Sequence, residues 1–284
     1  MRRRLSAAVW LPLLLVSCQS WSRAPAGGDD RTQEGLNAVL WVQTAAEYEA
    51  AAEQAFRLAK RQLDAALEPG NAAWTASLEQ GSDTRDLPPA VVLDVDEVVL
   101  DSSRFQARLV EERVGFRLED WNAWVREAGA AAVPGALGFV RHAEAKGVRI
   151  FYVTNRGEEV EAATRRNLEA LGFPVDDGGE NLLTRNERTG WGSDKGSRRR
   201  FIAADHRIVL LVGDDLNDFV SGSRVQPGSR VELARRWRAH WGTKWIVLPN
   251  PMYGSWERSL YGFERELSRD ERLRRKQEKL EPPD

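Results

Sequence analysis

One stretch limits what this chain can fold into more than any other: Val91-Val92-Leu93-Asp94-Val95-Asp96-Glu97-Val98-Val99-Leu100-Asp101. A run of β-branched and aliphatic residues reads as a buried strand, and it breaks off in two carboxylates one residue apart. Asp94 and Asp96 therefore stand where a strand emerges, at the carboxyl edge of a sheet. Open α/β folds bind their ligands at that edge. Two carboxylates so close repel each other unless a cation or a shared proton relieves them. Such a pair suits a divalent metal held beside a carboxylate nucleophile. A lone Asp-x-Asp is also a common way to end a strand, so the rest of the chain decides its meaning.

A second acidic cluster follows a second apolar run. Ile208-Val209-Leu210-Leu211-Val212 leads into Gly213-Asp214-Asp215-Leu216-Asn217-Asp218. Between the two, Val148-Arg149-Ile150-Phe151-Tyr152-Val153 reads as a third strand that surfaces at Thr154-Asn155-Arg156, and Lys195 lies in Ser193-Asp194-Lys195-Gly196. Asp-x-Asp, then Thr, then Lys, then Gly-Asp-Asp-x-x-Asp resembles the four ordered motifs of the haloacid dehalogenase superfamily. The first and last motifs, with Thr154-Asn155-Arg156, look like those of its four-aspartate phosphatases. Outside them, the helix from Trp41 to Lys60, Ala132-Val133-Pro134-Gly135-Ala136 and Leu248-Pro249-Asn250-Pro251-Met252-Tyr253-Gly254-Ser255-Trp256-Glu257 are similar to the class C nonspecific acid phosphatases. These are bacterial lipoprotein phosphatases and 5'-nucleotidases. The similarity runs from about Leu36 to about Phe263.

The resemblance assigns a role to each motif. Asp94 is the expected nucleophile, attacking phosphorus to form an aspartyl-phosphate. Asp96 is the expected general acid, then general base, on the same side of the extended chain because one residue intervenes. Asp214, a carboxylate oxygen of Asp94 and the main-chain carbonyl of Asp96 are the expected Mg²⁺ site, with Asp218 either orienting a metal-bound water or ligating directly. Asp215 is the weaker ligand candidate. Thr154 and the Asn155 amide are placed to donate to phosphoryl oxygens, and Lys195 to neutralise charge between Asp94 and phosphate. Phe116 and Tyr253 match the places where the family stacks its substrate ring, with Gly115 and Arg117 making the local match around Phe116 loose. Each residue alone has a bland reading as a cap, a surface lysine or a core aromatic. Their order along the chain argues for the joint one.

The amino terminus reads as an address. Arg2-Arg3-Arg4 precedes an apolar stretch from Ala7 to Val16 and then Ser17-Cys18. This is a secretory pattern, too short in its apolar part to span a bilayer. Leu15-Val16-Ser17-Cys18 also looks like a lipobox, which makes Cys18 the lipidation site and a membrane the expected anchor. Cys18 is the single cysteine, so no disulfide within the chain is possible. Gln19 in the next position points to the outer membrane of the cell envelope under enteric-type sorting. The domain reading is a signal peptide over 1–17, a flexible tether over 18–34, a phosphatase body over 35–263 and a charged tail over 264–284. Formal net charge is −2, and Arg-rich runs sit beside Glu and Asp, so nothing asks for a nucleic acid polymer.

The expected fold class is α/β: a haloacid dehalogenase-like parallel sheet with helices on both faces and a small α-helical subdomain from about 35–80 and 102–134. Apolar spacing predicts a helix from Leu36 to Leu67, stopped by Pro69-Gly70-Asn71. Residues from about Phe105 to Ala132 read as helical patches inserted after the first motif. Helix Ala136–Lys146, strand Val148–Val153, helix Glu158–Leu171, strand Ile208–Val212, helix Ser229–Trp241 and strand Lys244–Leu248 follow. Gly147, Gly172 and Gly242 mark helix ends. From Glu264 onward the expectation is a solvent-exposed helix that frays before Pro282-Pro283. His142, His206 and His240 show no paired metal spacing, and Gly190-x-Gly192 lacks the context of a dinucleotide site. Trp237, Trp241 and Trp245 read as core.

The function implied is a Mg²⁺-dependent acid phosphatase acting on small phosphomonoesters, with 5'-nucleotides favoured and a homodimer as the assembly. Two rivals stand beside it. One is a non-catalytic surface lipoprotein that binds ligands on a phosphatase scaffold, which the intact motif residues oppose. The other is a phosphotransferase that delivers the phosphoryl group to an alcohol.

Overall fold

A computed structural model of the protein describes residues 34–176 and 180–283, and these fall in one unit, Gln33–Asp284. In chain order the first elements are α1 (Leu36–Thr44), α2 (Ala46–Ala66), β1 (Pro89–Leu93), β2 (Leu100–Asp101), α3 (Ser103–Glu112), α4 (Leu118–Arg126), β3 (Ala131–Ala132) and α5 (Ala136–Ala145). There follow β4 (Arg149–Gly157), α6 (Glu161–Ala170), β5 (Leu182–Arg185), α7 (Gly196–Asp205) and β6 (Arg207–Gly213). The last are α8 (Pro227–Arg236), β7 (Trp245–Val247), α9 (Ser255–Ser259) and α10 (Arg269–Gln277). Signal peptide, tether and Cys18 lie outside the described residues, apart from Glu34. Among the described residues no helix is long and apolar enough to cross a membrane.

Five strands form an all-parallel sheet in the order β5-β4-β1-β6-β7. The expected α/β class with a parallel sheet is what the chain forms. β1 lies in the middle, and the strand order reverses there, which makes the crevice beyond its carboxyl end the natural ligand site. Alternation along β1 fills both faces. Val91 and Leu93 join a cluster with Phe56 of α2 and Phe139 of α5, whereas Ala90 and Val92 join Phe151, Ile202 and Trp245 on the other side. A bulge in β6 opposite Ala90 and Val91 lets Val209 and Leu210 both serve the first cluster. All seven residues of β6 are buried, as expected of a strand covered on both faces.

Several local expectations are adjusted. The single helix expected from Leu36 to Leu67 breaks at Ala45, whose φ −81° and ψ 127° are extended. Thr44 bonds its hydroxyl back to Leu40 O at 2.7 Å, and the chain turns into α2. α1 rests on α3, while α2 lies along α5, β6 and β7. The helix expected to reach Trp241 stops at Arg236, because Trp237, His240 and Trp241 turn in to surround Trp245. Trp245 is fully buried with its Nε1 donating to Ala76 O at 2.7 Å. β5, α7 and the short antiparallel pair β2–β3, which closes the neck of the insertion, carry weak sequence signals and were not expected. Gly147 and Gly172, expected helix ends, carry positive φ of 71° and 82°.

The aromatics of the insertion extend the first apolar cluster. Phe105 of α3 meets Trp121 and Trp124 of α4 at 5.0 and 5.8 Å, and Phe116 lies on the rim at 6.2 Å from Phe105. The carboxyl-terminal segment is held at defined points. Lys276 pairs with Glu34 and Glu257, and Arg275 with Glu264 at 2.6 Å, so α10 is exposed yet tied to the body.

Candidate active site

The sheet register brings the motifs together. Leu93 pairs with Tyr152 of β4 and Val212 of β6, so Asp94 stands level with Val153 and Gly213. Its main-chain N–H still donates to Val212 O at 3.0 Å, which fixes Asp94 as the first residue past the strand. Asp214 follows directly on β6 and Thr154 lies within β4, which runs on to Gly157. Lys195 caps the start of α7 and reaches across the strand ends. Its Nζ lies 2.5 Å from Asp94 and 2.6 Å from Asp218.

Asp218 reaches back under its own loop. Its Oδ2 accepts the main-chain N–H groups of Asp214 at 3.0 Å and Asp215 at 2.9 Å. Gly213 makes this possible, since a Cβ there would sit 2.3 Å from Asp218 Oδ2. Asp215 is committed elsewhere. It accepts from Asn217 N at 3.0 Å and from Ser255 N at 2.7 Å, which pins the loop after β7. Asn250 of that loop donates to Asp214 Oδ2 at 2.8 Å.

The electrostatics are unbalanced. Asp94, Asp214 and Asp218 offer carboxylate oxygens that all lie within 4.8 Å of one another, and among the described residues Lys195 is the one cation in an ion pair with the group, reaching Asp94 and Asp218. Burial pushes the Asp94 carboxyl up to about 7, with Lys195 opposing the rise and Asp218 and Asp96 adding to it. Burial, Asp218 and Asp94 likewise raise Asp214 well above the usual carboxylate range. Burial works to depress Lys195, but Asp218 and Asp94 outweigh it and raise its ammonium. Three oxygen donors with surplus negative charge fit a hard divalent cation.

A family model of the HAD superfamily, subfamily IIIB (Acid phosphatase), matches residues 9–256. The chain belongs to this family. The structure of the class C acid phosphatase from Bacillus anthracis is 35% identical with a TM-score of 0.79, over 89% of this chain and 99% of that one. The same enzyme with tungstate bound gives 34% identity and a TM-score of 0.78 over the same shares. The protein is thus an acid phosphatase of the HAD superfamily, a phosphomonoester hydrolase.

Within this phosphatase, residues with no role in the sequence reading support the motifs. Arg156 is 2% exposed and forks onto Asp96, with Nε at 3.1 and 3.2 Å from its two oxygens and Nη2 at 2.7 Å from one. The guanidinium also lies 5.5 Å from the Trp121 ring, joining the insertion to Asp96. Arg198 donates to Thr154 O and, at 2.8 Å, to Asn155 Oδ1. Asn155 and Asn217 both hold Ser193 O, at 3.1 and 2.7 Å, and so set the turn that presents Lys195. Thr154 Oγ1 accepts the Arg156 N–H at 3.1 Å and keeps its own proton to donate. Tyr48 of α2 is buried, its hydroxyl has no partner among the described residues, and burial together with Glu97, Asp101 and Asp214 raises its pKa. Arg156 and Asn250 lay inside stretches already singled out, and a polar residue ending an apolar run was the available signal. Arg198 and Tyr48 gave none.

The two aromatic candidates come from the insertion and from the loop after β7. Phe116 is 59% exposed and touches Phe105 and Trp121. Tyr253 is part-buried and donates its hydroxyl to Glu97 Oε1 at 3.0 Å. Cys18 lies outside the described residues.

Proposed function

We propose that this acid phosphatase hydrolyses 5'-nucleotides and related organic phosphomonoesters through an aspartyl-phosphate on Asp94, with Mg²⁺ held by Asp94, Asp214, Asp218 and the Asp96 carbonyl. The observation that carries the reading is three converging carboxylates at the ends of the central strands, of which Asp94 and Asp218 share one lysine and Asp214 has no ion-pair partner among the described residues. The cation, when bound, offsets the charge of phosphate and carboxylates and so allows an anionic nucleophile to approach an anionic substrate.

Asp94 then attacks phosphorus in line, forming the Oδ–P bond as the ester P–O bond breaks. Asp96 gives its proton to the leaving alkoxide. In the second half a water attacks phosphorus, Asp96 takes its proton, and the Asp94–phosphoryl bond breaks to release phosphate. Arg156 fixes the Asp96 carboxyl for both transfers. Lys195, the Thr154 hydroxyl and the Asn155 amide stabilise charge on the transferring group. Phe116 and Tyr253 stack the base of the nucleotide, a contact indifferent to which base it is.

The test is a panel of 5'-nucleotides and aliphatic phosphomonoesters assayed with and without Mg²⁺ after chelation. Mg²⁺-restored turnover favouring nucleotides is expected; full turnover in chelator overturns the metal role. We further propose that Cys18 is acylated, that the protein is held at the cell envelope and that it works as a homodimer. Cys18→Ser should leave the membrane fraction while keeping activity, and unmodified Cys18 in the native host would refute the anchor. Light scattering of the purified body reads the assembly directly.

A further inference from the structure

The reaction leaves unused a buried acid directly beside the nucleophile's turn. Glu97 follows Asp96, is 1% exposed, and sits at φ 61°. That region disfavours any residue with a Cβ and is normally given to glycine or asparagine. A long carboxylic side chain kept in such a place has work to do that the backbone alone does not explain.

Its contacts say what the work is. Oε1 accepts from the Tyr253 hydroxyl at 3.0 Å, from Ser102 N at 3.3 Å and from Ser102 Oγ, whereas Oε2 has no partner among the described residues. Ser102 Oγ and the Tyr253 hydroxyl are themselves 3.5 Å apart. Three segments meet at this one oxygen: the turn after the nucleophile, the residue just before α3, and the loop after β7. The backbone of that loop is fixed separately, by Asn250 Oδ1 accepting from Met252 N at 3.0 Å and Tyr253 N at 3.4 Å. Asn250 thus sets where Tyr253 stands, and Glu97 sets which way its ring faces.

We infer that Glu97 is a positioning residue for substrate choice: it holds the Tyr253 ring in the plane that stacks a nucleotide base. The inference rests on the proposed stacking role of Tyr253. A ring held by its hydroxyl loses no rotational freedom when the base arrives, so the bond favours aromatic substrates by pre-organisation. It adds nothing for a substrate without a ring.

The experiment compares kcat/KM for a 5'-nucleotide with that for glycerol phosphate, both with Mg²⁺, in the full chain. The variants are Glu97→Ala, Glu97→Gln, Tyr253→Phe, Tyr253→Ala and the double Glu97→Ala/Tyr253→Phe. Glu97→Ala and Tyr253→Phe should each lower the nucleotide-to-glycerol-phosphate ratio by about three- to tenfold, through KM for the nucleotide. The double variant should be no worse than either single one, because both remove the same bond. Glu97→Gln, whose amide oxygen still accepts the hydroxyl, should recover most of the ratio. Losses that multiply in the double variant, or a fall in kcat on both substrates alike, would overturn the inference. Should Glu97→Ala fail to fold, Glu97→Gln and Tyr253→Phe still decide it. If Tyr253→Ala itself leaves the ratio unchanged, the stacking role falls and takes this inference with it. If Tyr253→Ala changes the ratio and neither Glu97→Ala nor Tyr253→Phe does, the inference alone falls.

Discussion

Two clusters of buried charge lie close together in this phosphatase and obey opposite logic. Glu79 and Arg199 form a closed pair. Arg199 forks onto both oxygens at 2.8 and 2.9 Å, and Ser221 and Ser77 add one hydroxyl to each at 2.8 and 2.7 Å. Burial works to raise the Glu79 carboxyl, yet Arg199 and the two serines hold it below the usual range. In the other cluster Asp94 and Asp218 share Lys195 while Asp214 has no ion-pair partner among the described residues, and burial leaves Asp94 and Asp214 raised. Both clusters are desolvated, so burial alone does not mark a site. Unmatched charge does, because it persists only where a ligand of opposite sign completes it. The closed pair also serves the open one, since Arg199 Nη1 holds the carbonyls of Asn217 and Asp218 at 2.9 Å each.

The sharpest break between the clusters is catalytic. Asp94→Asn should lower kcat by about 10⁴-fold or more while the protein stays folded. Steady-state rates with circular dichroism check this, and near wild-type turnover would remove Asp94 from the chemistry. Stability should then divide the clusters by sign. Glu79→Gln strands Arg199 in the interior and should cost about 3–5 kcal/mol. Asp214→Asn removes one of several repelling charges and breaks no ion pair, so the metal-free protein should melt higher. Added Mg²⁺ should stabilise the wild type by about 2.7 kcal/mol at a hundredfold excess over its Kd and do far less for Asp214→Asn. Calorimetry with and without chelator reads all three.

Smaller effects belong to the aromatic flanks. Phe116→Ala or Tyr253→Ala should weaken 5'-nucleotide use roughly tenfold and spare a small aliphatic phosphate, because stacking is worth about 1–3 kcal/mol. Equal losses on both substrates would make these residues structural. A further predicted effect is on pH, with opposite signs in the two clusters. The Glu79 carboxyl is depressed on folding. Its contribution is present in full above the unfolded value of roughly 4.3 and is lost as pH falls through the lower folded value. The Asp94 carboxyl is raised. From its unfolded value of roughly 3.9 to its folded value of about 7, the metal-free protein holds a proton that the unfolded chain has released, so Asp94 makes the fold less stable as pH rises. Denaturant titrations of the metal-free wild type, Glu79→Gln and Asp94→Asn across that range should show the two slopes.

The central sheet was legible because each of its inner strands is an unbroken apolar run ending in a polar residue. Leu93-Asp94 and Val212-Gly213-Asp214 announce a strand and its exit, and Val153-Thr154 marks where β4 turns polar before it ends at Gly157. β5 was not legible, since Leu182-Leu183-Thr184-Arg185 is too short to stand out. The site reads in layers for a physical reason. Residues that do chemistry are carboxylates, a lysine and a hydroxyl at strand ends, and spacing reveals them. Residues that hold them in place, such as Arg156, Arg198 and Asn250, act through tertiary hydrogen bonds, and spacing carries no trace of their partners. Glu97 lay in the most informative stretch of the chain, yet its bond to Tyr253 spans 156 residues and is visible only in the fold.

The most direct test of the central claim is to trap the covalent step. Asp96→Asn should slow breakdown of the intermediate, and p-nitrophenyl phosphate provides a leaving group that departs without a proton. Acid quench after mixing with Mg²⁺, followed by mass spectrometry of the digested protein, should find one phosphoryl group on the peptide carrying Asp94 and none when Asp94→Asn is added. Steady turnover with no phosphoryl group on Asp94, or with the group on another residue, would contradict an aspartyl-phosphate route.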